Sequence, residues 1–165
     1  MAKNQRRRDQ REIVALGVIS DTHGLLRQEA LQALRGCELI VHAGDIGVPE
    51  VLNTLRQIAP VFAVRGNNDR GSWAEALPQT EVIRLGKFHL YILHDLNDLN
   101  LDPVAAGFRA VISGHSHRPK IEEKNGVLYF NPGSAGPRRF KLPVSLGRLT
   151  LLDGKLQGEI LELKV

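Results

Sequence analysis

Apolar positions fall into two periodicities along this chain. Residues 13–20 (IVALGVIS), 37–44 (CELIVHAG) and 60–66 (PVFAVRG) are short, nearly continuous apolar runs, the pattern of strands covered on both faces. Between them, residues 27–36 (RQEALQALRG) and 48–59 (VPEVLNTLRQIA) repeat apolar side chains at helical spacing. The first of these ends at Gly36 and the second carries Pro49 near its start, as helices do. The order β-α-β-α-β predicts a parallel sheet with right-handed crossovers and helices on its faces.

The pattern changes after residue 79. TEVIRL (80–85) and KFHLYILH (87–94) are strand-like and meet at Gly86, a short helix is expected around 102–107, and RAVISGH (109–115) reads as a further strand. Asn125-Gly126 and Asp153-Gly154 each sit between apolar runs, the strongest two-residue hairpin signal. The second half is therefore expected to be largely antiparallel. An α/β sandwich with mixed sheets accommodates both halves in one domain over residues 13–165, preceded by a basic tail over residues 1–12, and the length of 165 residues suits one domain.

Composition adds exclusions more than assignments. At 42% hydrophobic and 24% charged, the chain is ordinary globular material and not a disordered or repetitive polymer. Cys37 is the only cysteine, so there is no internal disulfide and no thiolate-rich zinc site. The longest stretch free of strong polarity, Ile13 to Ile19, is far short of the roughly 20 residues of a membrane helix, and no apolar signal core follows the basic start. A cytoplasmic protein acting away from membranes is expected. Lys3, Arg6, Arg7, Arg8 and Arg11 outweigh Asp9 and Glu12, so the tail carries most of the formal net charge of +4. The rest of the chain is close to neutral, and its charge makes nucleic acid an unlikely partner. A solvated tail is the ordinary reading, and an arm touching nucleic acid is the alternative.

The informative feature is where metal-competent side chains fall. Asp21 and His23 follow the first strand, Asp45 the second, Asn67 the third, His94 ends the run at 87–94, and His115 and His117 follow the run at 109–115. Ligands in open α/β sheets bind at the carboxyl ends of strands, so groups spread over nearly the whole first two thirds of the chain can converge. Taken singly each has an ordinary explanation, Asp21 and Asp45 as helix caps and Asn67 with Asn68 as a turn. Taken together they make two adjoining sites if one carboxylate is shared. Glycine precedes Asp45, Asn67 and His115, allowing the backbone to turn sharply and come close to an ion. Two cations roughly 3.5 to 4 Å apart would clamp a phosphate ester and activate water near neutral pH. Nitrogen and oxygen donors without sulfur suit Mn²⁺, Zn²⁺, Fe or Ni²⁺, and of these Mn²⁺ is the ion expected.

Read in order, SDTHG (20–24), AGD (43–45), RGNND (65–69), LHD (93–95), SGHSH (113–117) and NPGS (131–134) resemble the signature of the calcineurin-like metallophosphoesterases, within them the small YfcE-like phosphodiesterases. The resemblance implies a four-layer α/β/β/α sandwich of two mixed sheets and a phosphodiesterase or phosphatase acting on a small-molecule phosphate ester. It implies that Asp21, His23 and His117 hold one divalent metal ion, that Asn67, His94 and His115 hold a second, and that Asp45 bridges them. It also implies a bridging hydroxide as nucleophile, and homo-oligomers occur among the members.

Two positions depart from the larger family's pattern. Asn68 stands where larger members carry a histidine after Gly-Asn, so Asn68 is expected to donate a hydrogen bond to phosphate and activated esters are expected to react more readily than alkyl ones. Asp95 stands where many relatives have glycine, and is expected either to tighten the turn or to accept from a ligating imidazole. Arg138 and Arg139 are candidates for the substrate's anionic groups, with solvated surface cations as the alternative. Substrate choice is expected in the loops at 70–79 and 132–141. His42 is expected to be packed or to support a ligand, His89 to lie on the surface, and Trp73 to anchor an interface. Two other functions fit the same fold: a binding module of the retromer-subunit type, and a nuclease using the basic tail or another nucleotide-directed phosphoesterase.

Overall fold

The computed structural model describes residues 14–165; the basic tail expected over residues 1–12 lies outside the described residues. Ten strands form two mixed five-stranded sheets. The first holds β1 (Val14–Ile19), β2 (Leu39–His42), β3 (Val61–Ala63), β9 (Ser145–Leu152) and β10 (Lys155–Glu162), ordered β10-β9-β1-β2-β3. The second holds β4 (Thr80–Leu85), β5 (Phe88–Leu93), β6 (Phe108–Ile112), β7 (Lys120–Lys124) and β8 (Val127–Asn131), ordered β4-β5-β6-β8-β7. This is the expected α/β/β/α sandwich.

Alternation along each strand decides which layer a side chain joins. Leu16 and Val18 of β1 and Val41 of β2 face the other sheet, meeting Leu90 and Ile92 of β5 and Ala110 and Ile112 of β6 in the central core. Ile19 and Ile40 point the other way, under α1 (Gln28–Leu34) and α2 (Pro49–Arg56), against Ala30, Leu34, Val51, Leu52 and Leu55. Burying each large aliphatic side chain contributes about 1.5–3 kcal/mol, so both faces of β1 and β2 hold them in place. The fourth layer is thin. Tyr91, Leu93 and Val111 on the outer face of the second sheet are met by Leu99 and Leu101, between a 3-10 turn (Leu96–Asp98) and α4 (Pro103–Ala106). Asp102 caps α4 by accepting from the Val104 amide, and Gly107 closes it in the left-handed conformation.

β1, β2 and β3 are parallel neighbours, as the alternation requires. The second half departs from its expectation. β5, β6 and β8 pair in parallel, and only β4 and β7, the sheet edges, are antiparallel to their neighbours. The reason is connectivity: the segment carrying α4 separates β5 from β6 and β7 separates β6 from β8, and each serves as a crossover. Both hairpins form where Asn-Gly and Asp-Gly stand, with Asn125, Gly126, Asp153 and Gly154 all at positive φ. The last of them returns β9 to the first sheet beside β1. Trp73 lies in α3 (Ser72–Glu75), which the hydrophobic pattern did not indicate, and packs half-buried against the helix-side core. Among the described residues no helix is long and apolar enough to cross a membrane.

Candidate metal centre

The seven side chains singled out in the sequence leave the carboxyl ends of β1, β2, β3, β5 and β6 and come together. Neither Asp21 nor Asp45 caps a helix, since the N-cap residues of α1 and α2 are Arg27 and Val48. Five of the seven, Asp21, His23, Asp45, His115 and His117, have φ between 46° and 69°. Left-handed backbone is unfavourable for side-chain-bearing residues and persists only where surrounding structure imposes it, so five such residues on one spot mark a site built against local preference.

One half consists of Asp21, His23 and His117. Asp21 Oδ2 accepts from Ser20 Oγ (2.7 Å) and from the His115 amide (3.1 Å). Its Oδ1 is buried with no hydrogen-bond partner, yet lies 3.3 Å from His117 Nε2 and 3.9 Å from His23 Nε2. The two Nε2 atoms are 3.3 Å apart. A buried unpartnered carboxylate oxygen is costly unless something charged meets it. An oxygen and two imidazole nitrogens facing one point are the donor set of a divalent cation, so the residues fit one.

The other half consists of His94, His115 and Asn67. His94 Nδ1 donates to the Ala43 carbonyl (2.8 Å), leaving Nε2 as the lone-pair nitrogen on the site side. His115 Nδ1 lies 3.3 Å from His94 Nε2 and 3.2 Å from Asn67 Oδ1. Asp45 stands between the halves: its Oδ2 is 3.8 Å from His23 Nε2 and 3.3 Å from His94 Nε2. Asn68 donates to Asp45 twice, from its backbone amide to Oδ1 (2.9 Å) and from Nδ2 to Oδ2 (3.0 Å). Burial pushes the Asp45 carboxyl upward, but its closeness to the His94 imidazole and the hydrogen bonds from Asn68 outweigh it and hold Asp45 well below the ordinary carboxylate range. Burial pulls His94 down, and the Asp45 carboxylate with the Ala43 carbonyl reverses that, leaving it raised. His23 is lowered by burial, against the pull of Asp45 and Asp21, and Arg139 adds to the lowering.

The three glycines admit close approach in two ways. Gly44 has φ +99°, which permits the turn into Asp45, while a Cβ at Gly66 would overlap the Asp45 backbone nitrogen and carboxylate, and one at Gly114 would overlap Ser20 Oγ. Gly66 and Gly114 are thus needed for space and not for φ.

Supporting residues surround these seven side chains, several of them unannounced by the sequence. His42 is fully buried; its Nδ1 accepts from the Gly44 amide (3.2 Å) and its Nε2 meets Thr22 Oγ1 (2.9 Å). The Thr22 hydroxyl donates to the Ile46 carbonyl (2.9 Å), so it accepts from a neutral His42 protonated on Nε2. Burial lowers His42 to about 3. This imidazole ties the loop holding Asp21 and His23 to the loop holding Asp45. Asp69, buried, accepts from the Gly47 (2.9 Å) and Gly66 (2.8 Å) amides. Asp95 tightens the turn as expected, accepting from the Asn97 amide (3.0 Å), and its Oδ2 lies 3.5 Å from His115 Nε2. Ser134 Oγ donates to the Asp21 carbonyl (3.0 Å), which seats the NPGS turn beside the site. Arg138 and Arg139 lie exposed in the loop after Gly136, and His89 is exposed on β5. A polar cleft of about 760 Å³ opens beside Asn67, His94 and His115.

The family profile described as "Calcineurin-like phosphoesterase superfamily domain" matches residues 14–154. A "Probable metallophosphoesterase" of Methanothermobacter thermautotrophicus is 34% identical over 159 residues, covering 88% of this chain and 91% of that protein. "Phosphodiesterase YfcE" of Escherichia coli K12 is 29% identical, covering 79% of this chain and 84% of that protein. Among solved structures, wild-type Vps29 of Entamoeba histolytica complexed with Zn²⁺ superimposes with a TM-score of 0.69 at 25% identity, over 90% of this chain and 99% of that one. With its ordered motifs meeting at the strand ends of a two-sheet sandwich, this chain belongs to the calcineurin-like phosphoesterase superfamily, in the neighbourhood of YfcE.

Proposed function

We propose that this chain is a two-metal-dependent phosphoesterase, acting on phosphodiesters in preference to monoesters. The observation that carries it is the position of Asp45 Oδ2, within 3.8 Å of His23 Nε2 on one side and 3.3 Å of His94 Nε2 on the other. One carboxylate oxygen facing both nitrogen sets is what a shared ligand requires. Asp21, His23 and His117 would hold one cation and Asn67, His94 and His115 the other. Two divalent cations there, Mn²⁺ before Zn²⁺, Fe or Ni²⁺, would supply positive charge to the phosphoryl oxygens and activate water for attack.

The chain's own groups set the remaining terms. The Ala43 carbonyl fixes the His94 tautomer, and Asp95 faces the far nitrogen of His115, so both rings are oriented from behind. Asn68 acts on the substrate with the amide proton that Asp45 does not take, and Arg138 and Arg139 meet its anionic groups from the neighbouring loop. With no histidine beside the phosphate to protonate the leaving oxygen, esters of good leaving groups turn over more readily than alkyl esters. The substrate is a small phosphate ester in the cytoplasm, where one reduced cysteine is at home, and residues 13–165 act as one domain. Light scattering decides between monomer and homo-oligomer.

The test is turnover of bis(p-nitrophenyl) phosphate. Exhaustive chelation should abolish it and Mn²⁺ should restore it; undiminished turnover in the chelated protein would contradict the reading. A binding-module role draws on the likeness to Vps29, but a scaffold has no need of all seven liganding side chains. A chain that binds both ions and turns over no phosphoester would favour the scaffold. The nuclease reading requires affinity for nucleic acid that falls steeply between about 50 and 200 mM salt.

A further inference from the structure

A second cavity, of about 420 Å³, lies on the other side of His115 from the polar cleft, within the size range of small-molecule sites. It shares Asp95 and His115 with that cleft, is lined next to them by Gly114, Ser116 and Asn97, and runs over the outer face of the second sheet between the 3-10 turn and β7. The floor is apolar. Tyr129 of β8 lies half-buried on it, and Leu96, 42% exposed, faces it from the turn. Period-two alternation puts Lys120, Glu122 and Lys124 of β7 on one face, with Glu122 directly opposite Tyr129 in the strand register. Glu122 pairs with Lys120 (2.9 Å) and Lys124 (3.5 Å), and the Lys124 ammonium is 5.9 Å from the Tyr129 ring centre. Arg118, also on the rim, makes no ion pair among the described residues.

We infer that this groove takes a nucleobase carried by the phosphoester, stacked on Tyr129, so that the substrates are nucleotidyl esters. An alkyl substituent would leave the charged rim unmatched, and a polyanion would meet Glu122. A flat heteroaromatic ring has a π face for the tyrosine and an edge of mixed donors and acceptors for the lysines, Glu122 and Asn97. Arg118 stands where a further phosphate of the same ligand would be neutralised. This inference rests on the phosphoesterase reading for its chemistry but on the groove alone for its binding.

Two esters with the same leaving group separate the two claims. Thymidine 5′-(4-nitrophenyl phosphate) should be hydrolysed by the Mn²⁺-loaded protein with kcat/KM about tenfold or more above methyl 4-nitrophenyl phosphate, the stacking contribution of one base. Tyr129→Leu, which keeps the buried volume and removes the ring, should bring the two esters to equal efficiency. Equal efficiency in the unaltered protein, or a preference that survives Tyr129→Leu, would overturn the groove assignment and leave the phosphoesterase reading standing. If neither ester reacts, that reading fails and calorimetry still decides the groove. Thymidine 5′-monophosphate should then bind about tenfold or more tighter than methyl phosphate in the unaltered protein but not in Tyr129→Leu; equal binding would sink it.

Discussion

Asp45 concentrates the electrostatics of the site. It is almost fully buried and touches both imidazole groups, and Asn68 fixes both its oxygens. Asp45→Asn removes the negative charge that lies between His23 Nε2 and His94 Nε2 and should weaken both ions by more than about 100-fold, beyond the effect of losing a supporting residue. His23→Ala removes a donor from one half and should lower one ion only. Elemental analysis at fixed metal concentration distinguishes them, and an unchanged metal content in Asp45→Asn would remove the shared ligand from the account. His42 makes a different prediction. Its folded value of about 3 lies below the ordinary 6.5, so it contributes stability in full above pH 6.5 and loses it progressively between pH 6.5 and 3. Below 6.5 the loss approaches about 1.4 kcal/mol per pH unit for this group. In the metal-free protein, melting temperature should fall from pH 7 to 5, and less steeply in His42→Asn. His23, also lowered, leaves a residual slope in the variant. An identical pH dependence in both proteins would contradict the neutral, buried imidazole. The seven side chains that meet at the strand ends were visible in the sequence because each lies at or just after the end of a strand-like run. The sequence also suggests His42 as packed or supporting, but not Thr22 or Ser134, because a hydroxyl in a turn acquires its meaning only from a partner 20 or more residues away.

At the level of elements, the site depends on turns that no side chain could replace. A methyl group at Gly66 would have to displace Asp45 itself, so Gly66→Ala should cost about 1–3 kcal/mol and lose metal with it. Gly126, at φ +79° with nothing within 4 Å of the missing Cβ, is the contrast: Gly126→Ala should cost about 1 kcal/mol and leave the metal content unchanged. Denaturant titration with parallel metal analysis reads both, and full metal retention in Gly66→Ala would refute the packing argument. The hydrophobic pattern reports β1 to β6, α1 and α2 to within a few residues, because each buries its apolar side chains in one of the cores. The Asn-Gly and Asp-Gly pairs report the hairpins for a reason equally local. Pairing direction in the second sheet is not local. β5, β6 and β8 are apolar runs buried on both faces, and their parallel order follows from where the crossovers return. The four-residue α3 is too short to show a helical period at all.

For the molecule as a whole, two sheets packed face to face bring their strand ends to one edge, and residues from Asp21 to His117 meet there. The four-layer arrangement was legible through the family resemblance more than through periodicity, since no local signal states that β9 and β10 rejoin the first sheet beside β1. The groove over β7 and β8 was not legible at all, because Tyr129 becomes its floor only once β7 and the turn at Leu96 stand on either side. The central claim is that two cations share the Asp45 carboxylate. Anomalous diffraction from a crystal soaked in Mn²⁺ tests it most directly. Two peaks roughly 3.5 to 4 Å apart, one among Asp21, His23 and His117 and one among Asn67, His94 and His115, with Asp45 bound to both, are the predicted result; a single peak, or two that leave Asp45 uncoordinated, would contradict it.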